Sequence, residues 1–306
     1  MRLDVHQHLL GDALIAALER RTSPPSVSRG EQGWVLRVAG EADSVLAFAD
    51  ADATARVEQL DADGIDRALI LLSSALGIES LPAEEAQPLL DAYHEGLAEL
   101  PSERFGGWGA VRLDAPDPDD VDALLERGLA GISLPATALA TPAGFARLAP
   151  LLERIERHDA PLFVHPGPVP APAVADTPPW WPALTDYVAQ MNAAWHAFLH
   201  AGRPAHPRLR VVFALLAGGA PLHTERLAAR GGPAARAHDP GIFYDTSSYG
   251  PRTIDATIRV VGADQLVFGS DRPVVGPAVP PPHTALGHAL LSVNPARVLA
   301  STPIPA

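Results

Sequence analysis

DVHQH, residues 4–8, is a strand-like segment in which one residue separates two histidines. Successive side chains of a β-strand point to opposite faces, so this spacing places the rings of His6 and His8 on the same side of the strand. Imidazole nitrogens are common ligands of zinc and other borderline divalent metals. The segment therefore predicts a strand that supplies two ligands to a metal ion.

Two more candidate ligands stand at the ends of apolar runs far along the chain. LFVHP, residues 162–166, contains His165, and FGSD, residues 268–271, ends on Asp271. The alternative is that the histidines are structural, because a chain with twelve histidines contains an H-x-H pair by chance fairly often. Their placement at the ends of predicted strands favours one metal site made of His6, His8, His165 and Asp271.

The composition predicts a globular protein without a nucleic-acid or membrane partner, and the predicted site predicts a small-molecule substrate. The 306 residues are 47% hydrophobic and 19% charged, which is ample for a large core, and no apolar run reaches the length of a membrane span. A net charge of −13 argues against a nucleic-acid partner. We expect a single domain over residues 1–306. Because no charged and apolar leader precedes Asp4, we also expect a cytoplasmic protein.

The chain contains neither cysteine nor lysine. The first absence excludes thiolate ligands, thiol nucleophiles, iron–sulfur clusters and disulfides. The second excludes a Schiff base, a lysine general base and a carboxylated lysine that bridges two metals. Any metal centre must therefore be built from His, Asp and Glu side chains.

Strand-like runs alternate with helix-period segments along the chain. The predicted strands are residues 2–5, 67–72, 105–111, 131–134, 161–165, 209–216, 242–244 and 265–268. The predicted helices include residues 83–100, 142–158, 184–200, 221–230 and 254–261. This alternation predicts an α/β fold, namely a (β/α)8 TIM barrel. Residues 21–50, a Gly-, Pro- and Ser-rich region with a short strand at 33–38, predict a small hairpin-like insertion after strand one.

The active sites of such barrels lie at the carboxyl ends of the strands, where the four candidate ligands stand. Two proline-rich stretches, residues 168–182 and 277–282, follow predicted strands five and eight, and we expect both to cover this mouth. Trp180 and Trp181 in the first stretch are candidates for walling an apolar or planar substrate. Ordinary loop packing of the two tryptophans is the alternative.

The chain carries seven motifs in a fixed order. They are DVHQH (4–8), RFGGWGAV (104–111), GLAGISL (128–134), FVHPG (163–167), FYDTS (243–247), FGSDRP (268–273) and NPARVL (294–299). Together they resemble the amidohydrolase-2 branch of the amidohydrolase superfamily, which includes aminocarboxymuconate-semialdehyde decarboxylase and the resorcylate-type decarboxylases. The resemblance covers most of the chain and implies one divalent ion, usually zinc, at His6, His8, His165 and Asp271. It also suggests a homodimer.

One position departs from the pattern of this branch. After strand six the family usually has a histidine before a small residue and two glycines, and here Leu216 stands in its place. In the family this histidine helps to activate metal-bound water or to polarise the substrate. His223, at a predicted helix start, is the candidate base that would replace it, because a helix N-terminus keeps an imidazole neutral. An exposed histidine without a catalytic role is the alternative.

Two further polar residues at predicted strand ends are candidates for substrate binding. Arg272 directly follows Asp271, and its guanidinium would clamp a substrate carboxylate with two parallel hydrogen bonds. A buried structural pair with an Asp or Glu is the alternative for Arg272. Asp245 ends predicted strand seven and either contacts substrate or braces a metal-binding histidine.

The leading interpretation is a mononuclear metal-dependent hydrolase of a small, carboxylated cyclic amide, ester or lactone. In it Asp271 takes a proton from metal-bound water and passes it to the leaving group. The first alternative is non-oxidative decarboxylation of an aromatic or enoic acid, with Asp271 handling the proton on carbon. The second alternative, motivated by Leu216, is a barrel that binds its metal without turnover. The sequence leaves all three open.

Overall fold

Parallel strands form the wall of a barrel in the computed structural model, which describes residues 1–170, 177–276 and 279–300. The strands of the chain are β1 (Leu3–Gln7), β2 (Ser26–Arg29), β3 (Gly33–Arg37), β4 (Ser44–Ala47), β5 (Arg67–Ile70), β6 (Phe105–Gly107), β7 (Gly109–Ala110), β8 (Ile132–Pro135), β9 (Leu162–His165), β10 (Val211–Phe213), β11 (Ile242–Asp245) and β12 (Leu266–Val267). One parallel sheet has the order β1-β5-β6, and a second has the order β12-β11-β10-β9-β8-β7. Only Trp108 separates β6 from β7, so the two are parts of one barrel strand.

The first and last strands close the barrel. The Val5 amide donates to the Phe268 carbonyl at 3.0 Å, and the Asp271 amide donates to the His6 carbonyl at 2.8 Å. A parallel bridge between Gln7 and Arg272 continues this pairing. The predicted TIM barrel is confirmed, and its closure brings the end of the chain beside β1.

Helices follow most of the strands. Their bounds are α1 (Asp12–Glu19), α2 (Ala53–Asp63), α3 (Ala83–Glu99), α4 (Asp119–Glu126), α5 (Ala136–Leu139), α6 (Pro142–Arg147), α7 (Ala149–Arg157), α8 (Trp181–Ala197), α9 (Arg203–Ala205), α10 (Thr224–Ala229), α11 (Pro251–Val261), α12 (Ala285–His288) and α13 (Asn294–Leu299). Residues of β9, β10, β11 and β12 are all buried, since helices cover the outer face of such a sheet and side chains fill the inner one. No helix among the described residues has the length and apolar character needed to cross a membrane.

The insertion differs from a simple hairpin. It follows α1 rather than β1 directly, and it forms a three-stranded antiparallel sheet of order β2-β3-β4. Gly33 is required where β3 and β4 approach, because a Cβ there would lie 2.1 Å from the Leu46 carbonyl oxygen. Leu36 and Leu46 of this sheet, and Val38 directly after β3, line the main cavity of the molecule. The insertion therefore supplies part of the cavity wall.

Strand six is shorter than predicted. The sequence predicts a strand over residues 209–216, but β10 ends at Phe213 and a left-handed turn follows it. Leu215, Leu216 and Ala217 have φ values of 53°, 48° and 54°. The left-handed conformation is disfavoured for all residues except glycine. The apolar residues at these positions therefore predict a continued strand and not a turn. The predicted helix at 221–230 accordingly begins only at Thr224.

Two helix predictions are corrected by local backbone geometry, and α2 lies outside the predicted helix ranges. The predicted helix at 142–158 is interrupted at Leu148, where α6 ends and α7 begins. The predicted helix at 184–200 starts earlier, at Trp181, and passes into a π-helical turn, Phe198–Gly202. Helix α2 carries signals that the sequence analysis overlooked: Asp52 caps its first turn by accepting from two backbone amides. Gly64 ends this helix with a φ of 66°.

Glu79, in the turn Ile78–Ser80 after β5, is a buried carboxylic acid that we expect to make stability depend on pH. Burial raises its pKa to about 6 from 4.5, against the hydrogen bond that the Ser74 hydroxyl donates. A raised pKa means that the folded state favours the protonated form. The contribution of Glu79 to the free energy of unfolding is therefore fully present below about pH 4.5. It is lost as the pH rises through about 6.

Glu79→Gln should therefore stabilise the fold at pH 8 by up to about 2 kcal/mol, since one pKa unit corresponds to about 1.4 kcal/mol. The amide keeps an oxygen that accepts from Ser74 and carries no charge to bury. Urea unfolding of the variant and of the original protein at pH 8 and pH 5 measures the difference. The gain should be smaller at pH 5, and an equal gain at both values would contradict the assignment.

Candidate metal centre

Four side chains from three barrel strands converge at the mouth of the barrel. The ligand atoms of His6, His8, His165 and Asp271 all lie within 4.8 Å of one another, and all four residues are buried. The Nε2 atoms of His6 and His8 are 3.1 Å apart. Asp271 Oδ1 lies 3.4 Å from His6 Nε2 and 3.1 Å from His8 Nε2. The structure thus brings together the four residues that the sequence predicts as ligands.

The hydrogen bonds of the three rings orient their free nitrogens toward one point. The Nδ1 atoms of His6, His8 and His165 lie 2.5 Å from Asp245 Oδ2, 2.8 Å from the Leu71 carbonyl and 2.9 Å from the Pro166 carbonyl. Carboxylate and carbonyl oxygens only accept, so each Nδ1 carries a proton and donates it. Each Nε2 is therefore the nitrogen that faces the common point, and a metal that binds there displaces any proton that it carries. Three neutral imidazoles and one carboxylate fit a single divalent metal ion.

Asp4, the first residue of the DVHQH motif, connects the strands that carry three of the ligands. Its Oδ1 accepts from the backbone amides of His6 and Ser270, both at 3.0 Å. Its Oδ2 accepts from Gln7 Nε2 at 2.8 Å. Its place in the motif is a sequence signal, but only the structure shows the contacts that it makes. Asp4 holds the end of β1 against the turn that carries Asp271.

The electrostatics of the cluster favour a cation at its centre. Burial lowers the pKa of His6, but the Asp245 and Asp271 carboxylates outweigh this and raise it to about 9. Burial, together with His8 and His6, lowers the pKa of His165 well below its ordinary value. Burial acts to raise the pKa of Asp271, yet the neighbouring histidines lower it to about 2. An ionised carboxylate and an imidazole that attracts a proton both stabilise a positive charge held at this point.

Asp245 braces a histidine rather than a substrate. Its position at the end of predicted strand seven predicts contact with substrate, with the bracing of a histidine as the alternative. In the structure its side chain is fully buried: Oδ2 accepts from His6 Nδ1, and Oδ1 accepts from the Ser247 amide at 2.5 Å. Asp245 is absent from the cavity wall. The substrate-binding assignment is therefore corrected, because burial at the end of β11 leaves no face of Asp245 for a ligand.

Asp245→Asn should weaken metal binding by about 10- to 100-fold, the usual cost of removing a partner that orients a metal-binding histidine. The amide is neutral and no longer fixes the proton on His6 Nδ1. Competition with a chromophoric chelator measures the metal affinity of the variant and of the original protein. Ser247→Ala is the matched control, since it removes only the 3.0 Å bond from the Ser247 hydroxyl to Asp245. Equal affinities for Asp245→Asn and the original protein would contradict the bracing role.

A cavity of about 550 Å³ opens beside the cluster. His8, His165 and Asp271 lie on its wall, which is otherwise mostly apolar. The apolar lining comes from the segment after β1, α1, the insertion, the loop after β5, α8 and the turns after β10 and β12. It includes Leu9, Leu14, Leu36, Val38, Leu72, Leu184, Val188, Leu215 and Val275. No arginine lines this cavity among the described residues. A cavity of this volume and composition suits a small, largely apolar ligand.

Arg272 and the two tryptophans do not lie on this wall. Arg272 Nη2 pairs with Asp63 Oδ2 at 2.9 Å, as its structural alternative predicted, so the substrate clamp is corrected. Trp180 and Trp181 are 57% and 41% exposed at the start of α8, with ring centroids 5.6 Å apart. Leu184 and Val188, further along α8, line the cavity, and the two tryptophans do not. Of the proline-rich stretches expected over the mouth, residues 171–176 and 277–278 lie outside the described part of the chain.

The structure does not bring His223 to the cluster. This residue is exposed just before α10, and together with His196 and Arg226 it lines a separate surface cleft. The expected place of His223 beside the cluster is therefore corrected: the residue lies in this second cleft. Leu216 is fully buried and absent from the cavity wall, whereas Leu215 lines it. The left-handed turn after β10 thus presents an apolar side chain to the cavity.

Several polar residues of the cavity wall are not among the residues predicted from the sequence. Ser248 Oγ lies 3.4 Å from Asp271 Oδ2, and Tyr249 is its neighbour on the wall. Glu41 of the insertion and Tyr187 of α8 also line the cavity and are joined by a hydrogen bond. Ser248 follows the recognised FYDTS motif and was within reach of sequence reasoning. Glu41 and Tyr187 carried no such signal, because only the docking of the insertion brings them together.

A family model described as amidohydrolase matches residues 3–297. The chain belongs to the amidohydrolase family. Curated protein sequences contain no match to this amidohydrolase. The family assignment agrees with the resemblance carried by its seven motifs and with its barrel.

Solved structures with the same fold cover almost all of this amidohydrolase. The apo form of IDCase from Metarhizium anisopliae has a TM-score of 0.79 at 19% identity, over 98% of this chain and 97% of that one. The 5-carboxyvanillate decarboxylase from Novosphingobium aromaticivorans with bound manganese, a D314N mutant, has a TM-score of 0.76 at 16% identity, over 98% and 97%. The 2,6-dihydroxybenzoate decarboxylase from Rhizobium has a TM-score of 0.65 at 17% identity, over 97% and 98%. At these identities the likeness establishes the fold.

Proposed function

We propose that this amidohydrolase is a metal-dependent, non-oxidative decarboxylase of a small aromatic carboxylic acid. The observation that carries the proposal is the cavity itself: a strongly apolar wall meets the His6, His8, His165 and Asp271 cluster directly. The names of two neighbours of the same fold, a carboxyvanillate and a dihydroxybenzoate decarboxylase, support this substrate class. The leading interpretation from the sequence, a hydrolase, gives way here to its first alternative.

The apolar wall favours loss of carbon dioxide over hydrolysis. A carboxylate in an apolar cavity loses much of its solvation, and departure of neutral carbon dioxide disperses its charge. Hydrolysis asks for more polar groups, since one must take a proton from water and another must stabilise the oxyanion or the leaving group. His223, the candidate base, and Arg272, the candidate clamp for a substrate carboxylate, both lie away from the cavity, and Leu215 occupies the wall after strand six.

In this proposal His6, His8, His165 and Asp271 hold one divalent ion, which supplies positive charge to bind and orient the carboxylate-bearing end of the substrate. Zinc was the expectation from the sequence, and the manganese bound by the carboxyvanillate decarboxylase makes manganese the second candidate. The apolar side chains of the cavity hold the ring and exclude water. Asp245 and Asp4 position the histidines through hydrogen bonds and touch no substrate.

Asp271 is the candidate for the proton transfer that completes the reaction. When the bond between the ring carbon and the carboxylate breaks, its electron pair stays on the ring carbon and must take up one proton. Asp271 lies on the cavity wall, where Oδ2 has the Ser248 hydroxyl as a neighbour. Its carboxyl group would receive a proton from water or from a ring hydroxyl and deliver it to this carbon.

A reaction in deuterium oxide tests the proposal. The zinc- or manganese-loaded protein is incubated with hydroxylated monoaromatic acids, and carbon dioxide and the aromatic product are quantified together. We expect equal amounts of both, with one deuterium on the carbon that lost its carboxylate. Hydrolysis of lactones, esters or amides without carbon dioxide would favour the hydrolase instead. A fully metal-loaded protein that transforms neither panel would favour the barrel without turnover.

A homodimer, a cytoplasmic location and the absence of a nucleic-acid partner stay predictions.

A further inference from the structure

Glu41 and Tyr187 form a second polar site in the cavity, distinct from the metal-ligand cluster. Glu41 follows β3 in the insertion, and Tyr187 lies on α8, which is 146 residues away along the chain. The Tyr187 hydroxyl donates to Glu41 Oε1, and both residues lie on the cavity wall. A carboxyl group and a phenol thus meet where most neighbouring side chains are aliphatic.

The second oxygen of Glu41 is available to a ligand. Within the described part of the chain, Oε2 has no hydrogen-bond partner, and it is not among the fully buried polar atoms that lack one. Burial and the nearby Asp186 raise the pKa of Glu41, whereas the bond from Tyr187 lowers it. A carboxyl oxygen in apolar surroundings gains most from a partner that donates a hydrogen bond.

The charges of the cavity determine what kind of partner fits there. Its acidic lining residues are Glu41, Asp50 and Asp271, and no arginine lines it among the described residues. Two arginines next to the ligand-bearing segments have other partners: Arg56 donates to Gln7 and to the His8 carbonyl, and Arg272 pairs with Asp63. A second carboxylate on the substrate would have no cation to pair with and would meet negative charge. A hydroxyl or amino group would meet an acceptor.

We propose that Glu41, held by Tyr187, is a specificity-determining residue that accepts a hydrogen bond from a hydroxyl or amino group on the ring of a monocarboxylic substrate. The carboxylate of the substrate in this inference rests on the proposed decarboxylase function. The hydrogen bond to Glu41 does not depend on that function. It places the donor group of the substrate away from the carboxylate that is bound at the metal-ligand cluster. Aromatic dicarboxylic acids are excluded as good substrates.

Two pairs of probes of matched size test this specificity. The first pair, 4-hydroxybenzoate and 4-methylbenzoate, is titrated into the metal-loaded protein by calorimetry. The second pair, 4-methylphenol and 1,4-dimethylbenzene, has no carboxylate and is titrated into the metal-free protein by ligand-observed NMR. We expect the hydroxyl-bearing member of each pair to bind about tenfold more tightly or better, because the other member leaves Glu41 without a partner.

Glu41→Leu should abolish this preference in both pairs and leave the affinity for the methyl members unchanged or improved. Glu41→Gln keeps the shape of the side chain and should reduce the preference at least threefold. Asp43→Leu is the matched control: this carboxylate lies two residues further in the insertion, pairs with Arg37 at the surface and is absent from the cavity wall. It should keep the full preference.

The outcomes separate this inference from the proposed function. Preference for the hydroxyl in the second pair, with no binding of either acid, would support the role of Glu41 and overturn the decarboxylase. Binding of both acids without discrimination, or a preference that survives Glu41→Leu, would overturn the role of Glu41 and leave the decarboxylase standing. An equal loss of affinity for all four probes in Glu41→Leu would mean that the bond to Tyr187 only holds the insertion in place, which also overturns the inference.

Discussion

His165→Ala should reduce the metal content of the purified protein from about one divalent ion per chain to nearly none, and turnover should disappear with it. The Nε2 atom of His165 faces the same point as the Nε2 atoms of His6 and His8, so the variant removes one of three imidazole ligands. Losing a ligand of this kind costs most of the binding free energy of a mononuclear centre. Plasma mass spectrometry after gel filtration measures the metal directly.

His223→Ala is the matched control for this experiment. This histidine is exposed and lines a cleft apart from the cluster, so metal content and turnover should stay at their original values. A His165→Ala variant that keeps a full equivalent of metal would contradict the assignment of the site. Loss of turnover in His223→Ala would return this residue to the mechanism.

Asp271→Asn should lower the decarboxylation rate by at least about 10³-fold at saturating metal. General acid–base catalysis alone contributes about 10²- to 10⁴-fold, and the variant also removes the carboxylate charge from the cluster. The amide is nearly the same size as the carboxylate but cannot carry a proton to the ring carbon. Steady-state release of carbon dioxide, measured together with the metal content, separates the two losses.

The proton-transfer role of Asp271 predicts that added metal will not rescue this variant. If saturating zinc or manganese restored the original rate to Asp271→Asn, the aspartate would serve only as a ligand and the proton would come from elsewhere. Ser248→Ala, which removes the hydroxyl 3.4 Å from Asp271 Oδ2, should cost far less, because it leaves the carboxylate in place. A comparable loss in both variants would contradict the assignment of the proton to Asp271.

Local pattern was enough to predict the barrel and the four converging side chains. His6 and His8 share a face because a strand repeats every two residues, and His165 and Asp271 stand where buried apolar strands end. In a parallel barrel all strand ends of one kind meet at one mouth, so residues separated by more than two hundred positions become neighbours. The convergence of these residues therefore follows from the type and order of the strands and helices alone. The metal-ligand role of these residues remains a prediction until the metal is measured.

Residues whose role depends on a single distant partner could not be assigned in the same way. In the sequence Arg272 follows Asp271 whether its guanidinium binds a substrate or pairs with Asp63. Only the position of α2, which ends at Asp63, shows that the ion pair forms. Asp245 lies 239 residues from His6, and its full burial against that ring excludes a substrate. His223 follows the left-handed turn after β10, which the apolar pattern does not predict, and lies exposed in a separate cleft.

The sequence by itself determined the fold class, the family motifs and the set of possible metal ligands, because strand and helix periodicities and residue chemistry are local properties. The tertiary structure alone decided which side chains line the cavity, including the meeting of Glu41 from the insertion with Tyr187 from α8. Such contacts depend on how loops of irregular conformation dock and on which polar atoms become buried. The periodicity of the sequence does not predict these contacts, because the residues that make each contact lie far apart in the chain.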